Sequence, residues 1–226
     1  VARSVGERYA LVAGATGLVG GHLLDELLRS DAYGRITVLA RRPVERRDER
    51  VSSLVVDFEH LEDAPAVKGV TDAFCALGTT LKKAGSAAAF RRVDLGYVTA
   101  FARLAARSGA SRFVLVSSVG ADEKSSVLYP RVKGEAEREV RSLSFEAVHI
   151  LRPSFLLGER SESRPGERAG IVAARALSFA LAGPLARYRP IEAGDVARAM
   201  VAAALSPETG IHVHEGADLR RLARAR

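Results

Sequence analysis

The chain has 226 residues, 47% of them hydrophobic, and a formal net charge of +7, a size that buries one sizeable core and suits a single α/β domain. Its one cysteine, Cys75, excludes an intrachain disulfide; together with charges at Arg3, Glu7 and Arg8 and the lack of a long apolar run, this predicts a cytoplasmic protein without membrane insertion. The 34 basic residues include only five lysines and are interspersed with 27 acids, the pattern of a solvated surface rather than a nucleic-acid face.

Short β-branched and aliphatic runs alternate with helix-period segments, the signature of repeated βαβ units around a sheet buried on both faces. Strands are predicted at 9–13, 36–40, 54–56, 73–77, 113–117, 147–151 and 211–214. They give an α/β, Rossmann-type, doubly wound and mostly parallel seven-stranded sheet with helices on both faces. Helices are predicted to start near Gly17, Ser86, Val127, Ala169 and Asp195, the last with Asp195 as N-cap, and Gly109 and Gly210 read as stop signals. One domain is expected over 1–226, with 152–192 as a small substrate or lid segment. Within it the polar loop 158–168, which carries Pro165, is expected to be mobile without ligand and to cover the site when ligand binds.

The first strand runs into Gly14-Ala15-Thr16-Gly17-Leu18-Val19-Gly20, which opens a helix with Leu23, Leu24, Leu27 and Leu28 inward. Glycines at this G-x-x-G-x-x-G spacing let the backbone approach a pyrophosphate and let the helix pack on the sheet, and the helix N-terminus then binds the anion. Three glycines can also be plain turn residues, but here a strand precedes them and a helix follows. Gly14, Thr16, Gly17, Leu18, Val19 and Gly20 are therefore candidate cofactor contacts.

The second strand ends in Arg41-Arg42, where NAD-specific sites carry an acid for the ribose 2′-hydroxyl. Guanidinium groups attract a 2′-phosphate, so NADP(H) is the expected cofactor; two solvated loop arginines are the bland alternative. Asp57 and Phe58, after the third strand, are placed to meet the adenine, unless Asp57 merely caps a turn. Leu77, Gly78 and Thr79 end the fourth strand, and Gly78 lets the chain pass close to the cofactor's ribose and phosphates. Cys75 reads as a small core residue.

The fifth strand ends at Ser117-Ser118, and Tyr129-Pro130-Arg131-Val132-Lys133 follows. Tyrosine and lysine at i and i+4 share one helix face, where an ammonium lowers the phenol's pKa toward the range useful for proton exchange. Pro130 requires Tyr129 to lie in the first helical turn, with Ser125 or Ser126 as cap. His212 and His214 alternate on one strand but no third ligand is expected nearby, so structural roles are expected and no metal.

Through GATGLVG at 14–20, VSS at 116–118 and YPRVK at 129–133, the chain resembles the short-chain dehydrogenase/reductase superfamily. Segments CALGTTLKKAGSA (75–87), FRRVDLGYV (90–98), SSVGAD (117–122), LYPRVKGEAE (128–137) and ESRPGE (162–167) resemble its atypical branch typified by the Tat-interacting oxidoreductase. The resemblance implies that Ser118 holds a substrate oxygen, Tyr129 exchanges the proton, and Lys133 also binds the nicotinamide ribose. It further implies that the chain around Pro153 and Phe155 meets the carboxamide. One departure stands out: Asp94 occupies the place where the superfamily's proton relay has an asparagine.

The leading functional expectation is hydride transfer between NADP(H) and a small carbonyl or alcohol of unknown identity. An NADPH-responsive binding protein with little turnover is the rival, and room remains for a protein partner or a homo-oligomer. A nucleoside-diphosphate-sugar epimerase is a third reading, for which about 75 residues after the sixth strand leave little room.

Overall fold

A computed structural model of the chain describes residues 7–158 and 183–225. Strand β1 (Arg8–Ala13) carries apolar side chains on both faces. Tyr9, Leu11 and Ala13 enter one core cluster, and Ala10 and Val12 the other. A strand with no polar face can only be an interior strand of a sheet covered on both sides, and β1 lies between β2 (Tyr33–Ala40) and β4 (Asp72–Cys75), parallel to both. The remaining strands of the sheet are β3 (Val51–Val55), β5 (Arg112–Val116), β6 (Ala147–Arg152) and β9 (Gly210–Glu215). The order is β3-β2-β1-β4-β5-β6-β9, and every pairing is parallel. The chain reverses its direction of winding between β1 and β4, so their carboxyl ends frame the crevice where ligands bind in such sheets.

Helix α1 (Leu18–Arg29) buries Val19, Leu23, Leu24 and Leu27 on one face of the sheet together with α6 (Ala193–Leu205), which brings Val196 and Met200. On the other face lie α4 (Val98–Arg107), with Phe101 and Leu104, and α5 (Leu128–Arg141), with Ala136 and Val140. Two short helices, α2 (Leu81–Ala84) and α3 (Ala87–Arg91), lead into a π-helical turn at Arg92–Tyr97 that continues as α4. Strands β7 (Leu156–Leu157) and β8 (Ile191–Glu192) form a separate parallel pair, and α7 (Gly216–Leu222) closes the described chain.

The seven-stranded Rossmann sheet is the one predicted, with three local differences. Strand β4 stops at Cys75 rather than 77, because Gly14 presses against the backbone of Ala76 and Leu77 there. Asp195 is not an N-cap: β8 runs straight into α6, Glu192 takes the cap position, and Asp195 sits inside the first turn paired with Arg198. Neither Ser125 nor Ser126 caps α5; Val127 holds that position, and the Ser125 hydroxyl instead accepts the Val127 N–H at 3.1 Å. Most of the expected lid loop and the helix expected from Ala169 lie outside the described residues.

Candidate functional site: the carboxyl edge between β1 and β4

Gly14 leaves β1 with φ +91°, and a Cβ there would lie 2.5 Å from the Ala76 carbonyl group. Both facts demand glycine. A Cβ on Gly20 would fall 2.0 Å from the Gly14 carbonyl oxygen, while the Gly17 N–H donates to that same oxygen at 2.9 Å. The first turn of α1 is thus drawn tightly under the loop. Its N-cap is Gly17, and among the described residues no side chain caps it. Thr16 and Gly17 are exposed, Leu18 half-buried and Val19 buried, and this turn is the positive end of a helix of 12 residues.

Arg41 and Arg42 follow β2 and are both exposed. Nearby arginines are engaged, Arg46 with Asp25 and Arg50 with Asp48, whereas no described residue pairs with Arg41 or Arg42. Asp57 and Phe58 follow β3, and Asp57 takes the turn-capping role that was its alternative reading. The Asp57 carboxylate accepts the Glu59 N–H at 2.9 Å and meets His60 Nδ1 at 3.0 Å, capping its own turn. Phe58 is buried against Tyr97, with ring centroids 5.5 Å apart. The Asp57 side chain serves the turn while staying exposed, and Phe58 serves the core.

At the chemical end, Tyr129 lies in the first turn of α5, as Pro130 requires, and its half-buried ring stacks on Phe90 at 5.4 Å. One turn on, Lys133 is buried, with Nζ 2.7 Å from Asp94 Oδ1. Burial works against its ammonium, but the Asp94 carboxylate and the nearby Tyr129 more than offset this and hold the pKa above the ordinary lysine value. The other Asp94 oxygen accepts the Thr79 N–H at 2.8 Å. Leu77 is half-buried and Gly78 exposed, and a Cβ on Gly78 would lie 3.3 Å from Asp94 Oδ1 and 3.4 Å from Lys133 Nζ. Ser118 is partly buried, its hydroxyl 3.4 Å from the Val119 carbonyl oxygen. The Pro153 carbonyl accepts the Val119 N–H at 2.9 Å, which ties the turn after β6 to the Ser118 loop, and Phe155 stands 77% exposed at the rim.

Two supports of this constellation escaped the sequence reading. Gly134 is the first: a Cβ there would lie 2.1 Å from the Glu123 nitrogen, so α5 rests directly on the loop that follows Ser118. An isolated glycine inside a helical pattern is the signal that marks such close approach. Glu137 is the second. Buried beneath the site, it receives the Ser117 hydroxyl at 2.5 Å, Arg152 at 2.6 and 2.8 Å and Arg141 at 3.2 Å. Only its i,i+4 pairing with Arg141 is local, and the shorter contacts come from Ser117 after β5 and Arg152 of β6.

Away from the site, His212 and His214 do have a third histidine beside them, contrary to expectation. His149 on β6 pairs in register with His212, and its Nδ1 lies 3.1 Å from His214 Nε2. His214 Nδ1 in turn meets Asp218 at 2.6 Å. The rings stack instead of converging on one point, and among the described residues no group of histidine, cysteine or acidic side chains is arranged to hold a metal ion.

The sheet order, the glycine cradle and the serine, tyrosine and lysine at the carboxyl edge define an NAD(P)-binding protein of the short-chain dehydrogenase/reductase kind. Residues 14–207 match the family model described as NAD(P)H-binding, and the chain belongs to that family. It is 41% identical over 207 residues to Protein HTATIP2 of Rattus norvegicus, covering 90% of this chain and 84% of that protein. It is also 38% identical over 160 residues to Protein FMP52-1, mitochondrial, of Scheffersomyces stipitis, covering 69% of this chain and 70% of that protein.

Among solved structures, MoeE5 in complex with UDP-glucuronic acid and NAD superposes with a TM-score of 0.68 at 19% identity, covering 91% of this chain and 75% of that one. Human epimerase family protein SDR39U1 (isoform 2) with NADPH gives 0.64 at 17%, covering 91% and 73%. At these identities the likeness is one of fold alone. The mitochondrial names of the FMP52 relatives overturn the expectation of a cytoplasmic protein. That expectation leaned on one cysteine, and Cys75 is buried, its thiol pushed up to about 12; an inert core thiol says nothing of compartment. Among the described residues no helix is long and apolar enough to cross a membrane.

Proposed function

We propose that the protein is an NADP(H)-dependent oxidoreductase acting on a small carbonyl or alcohol. The observation that carries this reading is the buried, charged Lys133 one helical turn below Tyr129 at the carboxyl edge of the sheet. A dinucleotide fits the residues present: the cradle of Gly14 and Gly20 that any Cβ would fill, the open N-terminus of α1, and the exposed Arg41 and Arg42, with which no described residue pairs, for a 2′-phosphate. When bound, the nicotinamide supplies or accepts the hydride. In the direction of reduction the Tyr129 hydroxyl gives its proton to the carbonyl oxygen while Ser118 donates a hydrogen bond to that oxygen. The resulting tyrosinate is stabilised by the Lys133 ammonium and regains its proton from solvent. Phe90, stacked on the Tyr129 ring, fixes the plane in which the hydroxyl is presented.

The test is a panel of aldehydes, ketones and quinones screened by NADPH absorbance, followed by Tyr129→Phe on any compound that turns over. General acid catalysis contributes about 10²–10⁴-fold, so Tyr129→Phe is expected to lose at least ~100-fold in turnover with NADPH affinity nearly intact. Full turnover in that variant sinks the mechanism. A second reading, a cofactor-responsive binding protein, draws on Asp94 standing where the superfamily resemblance expects an amide. It takes over if NADPH binds tightly, alters binding of a partner protein, and no compound turns over.

A further inference from the structure

We propose that Asp94 is a positioning residue that serves as the fixed counter-ion of Lys133, holding that ammonium charged and in place beneath Tyr129. The proposal rests on the reading of Tyr129 and Lys133 as the proton-exchange machinery.

The donors around Asp94 decide which residue type the position accepts. Two meet it: the Lys133 ammonium at 2.7 Å from Oδ1 and the Thr79 backbone N–H at 2.8 Å from Oδ2. A carboxylate has an acceptor for each. An asparagine has one acceptor oxygen and an NH₂ group that is itself a donor, so it would set donor against donor at one of the two contacts. The residue that looked like a broken relay is therefore matched to its surroundings, and the local structure is rebuilt around a carboxylate.

Three further features aim and seal the pair. Asp94 lies in the π-helical turn between α3 and α4, and it is fully buried although its neighbours Val93 and Leu95 are only partly so. π turns inside helices are rare and are frequently found at functional sites. Gly78 carries the backbone so close over both side chains that an added Cβ would crowd each of them. The pair thus sits in a medium where an isolated ammonium would shed its proton and where a carboxylate partner counts most. Lys133 is held in this pair by the 2.7 Å approach of its Nζ to Asp94 Oδ1. The other titratable groups that act on it are Tyr129 and the buried Cys75 thiol.

The test needs no cofactor. Lys68, Lys82, Lys83 and Lys124 are all exposed and only Lys133 is buried, so nitrogen-15 NMR of the lysine ammonium groups is expected to give one slowly exchanging signal. That signal disappears in Lys133→Met. In wild type it persists to alkaline pH; in Asp94→Asn its midpoint of loss is expected to fall by roughly two pH units or more, the size of shift that burial without a counter-ion produces. An unchanged midpoint overturns the proposal.

If Asp94→Asn does not fold, thermal melting of Lys133→Met against the double variant Lys133→Met/Asp94→Asn reads the same pair. The double variant is expected to melt higher, because it no longer buries an orphaned carboxylate; a lower melting point overturns the proposal. The functional reading fails separately: with the ammonium shift as expected, turnover that survives Tyr129→Phe condemns the oxidoreductase mechanism and leaves the ion pair standing. Where turnover is found, its alkaline limb is expected to move to lower pH in Asp94→Asn in step with the ammonium signal, a response that a merely structural aspartate would not give.

Discussion

Ser117 donates its hydroxyl to Glu137 Oε1 at 2.5 Å, with both side chains buried. This bond joins the carboxyl end of β5, one residue before Ser118, to the middle of α5, one turn beyond Lys133. The two elements that carry Ser118 and Tyr129 are thereby tied together. The same carboxylate neutralises Arg152, whose pKa it raises through direct hydrogen bonds, and Arg152 reaches on to Glu215 of β9 at 2.9 Å.

Glu137→Ala is therefore expected to cost about 3 kcal/mol of folding stability, the lower end of what breaking a buried pair costs, since Arg152 keeps Glu215 and some contact with water. Urea unfolding measures it. A loss under about 1 kcal/mol would mean that Arg152 is compensated without Glu137.

Gly134→Ala tests the seat of α5 by the sign of its effect. In an ordinary helix interior alanine stabilises over glycine by roughly 0.5–1 kcal/mol. Here the new methyl would meet backbone at 2.1 and 2.4 Å, at Glu123 and Asp122. Backbone cannot rotate away, so the substitution is expected to destabilise by about 1–3 kcal/mol, with a lower thermal midpoint. A raised midpoint would show that α5 does not lie against the Ser118 loop.

The stacked histidines predict an acid-sensitive fold. Burial first, then the charges of His214, His212 and Arg112, lower His149 from 6.5 to about 4. Above pH 6.5 it is neutral whether folded or unfolded and contributes no pH dependence. Between about 6.5 and 4 the unfolded chain takes up a proton that the folded chain refuses. Stability therefore falls as pH falls through that window, by up to about 3 kcal/mol. Denaturation of wild type and His149→Phe at pH 7 and pH 5 isolates this term: the decline should be shallower in the variant, and equal declines would remove His149 as its source.

Arg41→Ala addresses cofactor choice. A charge-assisted hydrogen bond to a 2′-phosphate is worth about 1.5–3 kcal/mol, so the variant is expected to bind NADPH at least ~10-fold more weakly while NADH binding is unchanged. Calorimetry with both cofactors measures it. Equal wild-type affinity for the two, or an unaltered ratio in the variant, would refute the phosphate role of Arg41.

What could be read from the sequence was what local chemistry dictates. The apolar runs located all seven strands of the main sheet, and the strand-to-helix context of Gly14, Gly17 and Gly20 located the cradle. Pro130 correctly placed Tyr129 in the first turn of its helix. The parts not legible depend on elements distant in sequence. Asp94 meets Lys133 only after α3, the π turn and β5 have been laid down, and His149 joins His214 across β6 and β9, 65 positions apart. The misplaced cap at Asp195 has the same origin: a good capping residue stands there, but the pairing of β8 with β7 commits Glu192 to extended backbone and starts the helix early. Local preference for a cap yielded to a tertiary strand pairing.

The π turn at Arg92–Tyr97 bears on how this chain tolerates insertions and deletions. Each helical residue advances the direction of the next side chain by about 100°, so removing one residue from this turn would swing everything after it relative to everything before. Phe90, stacked on Tyr129, lies upstream; Val98, Phe101 and Leu104, packed in the core, lie downstream, with Asp94 between them. Deleting Leu95 or Gly96 would leave every named side chain in the sequence and still break the alignment of these three groups with their partners. The number of residues between Phe90 and Phe101 is thus as much a determinant of the site as their identity.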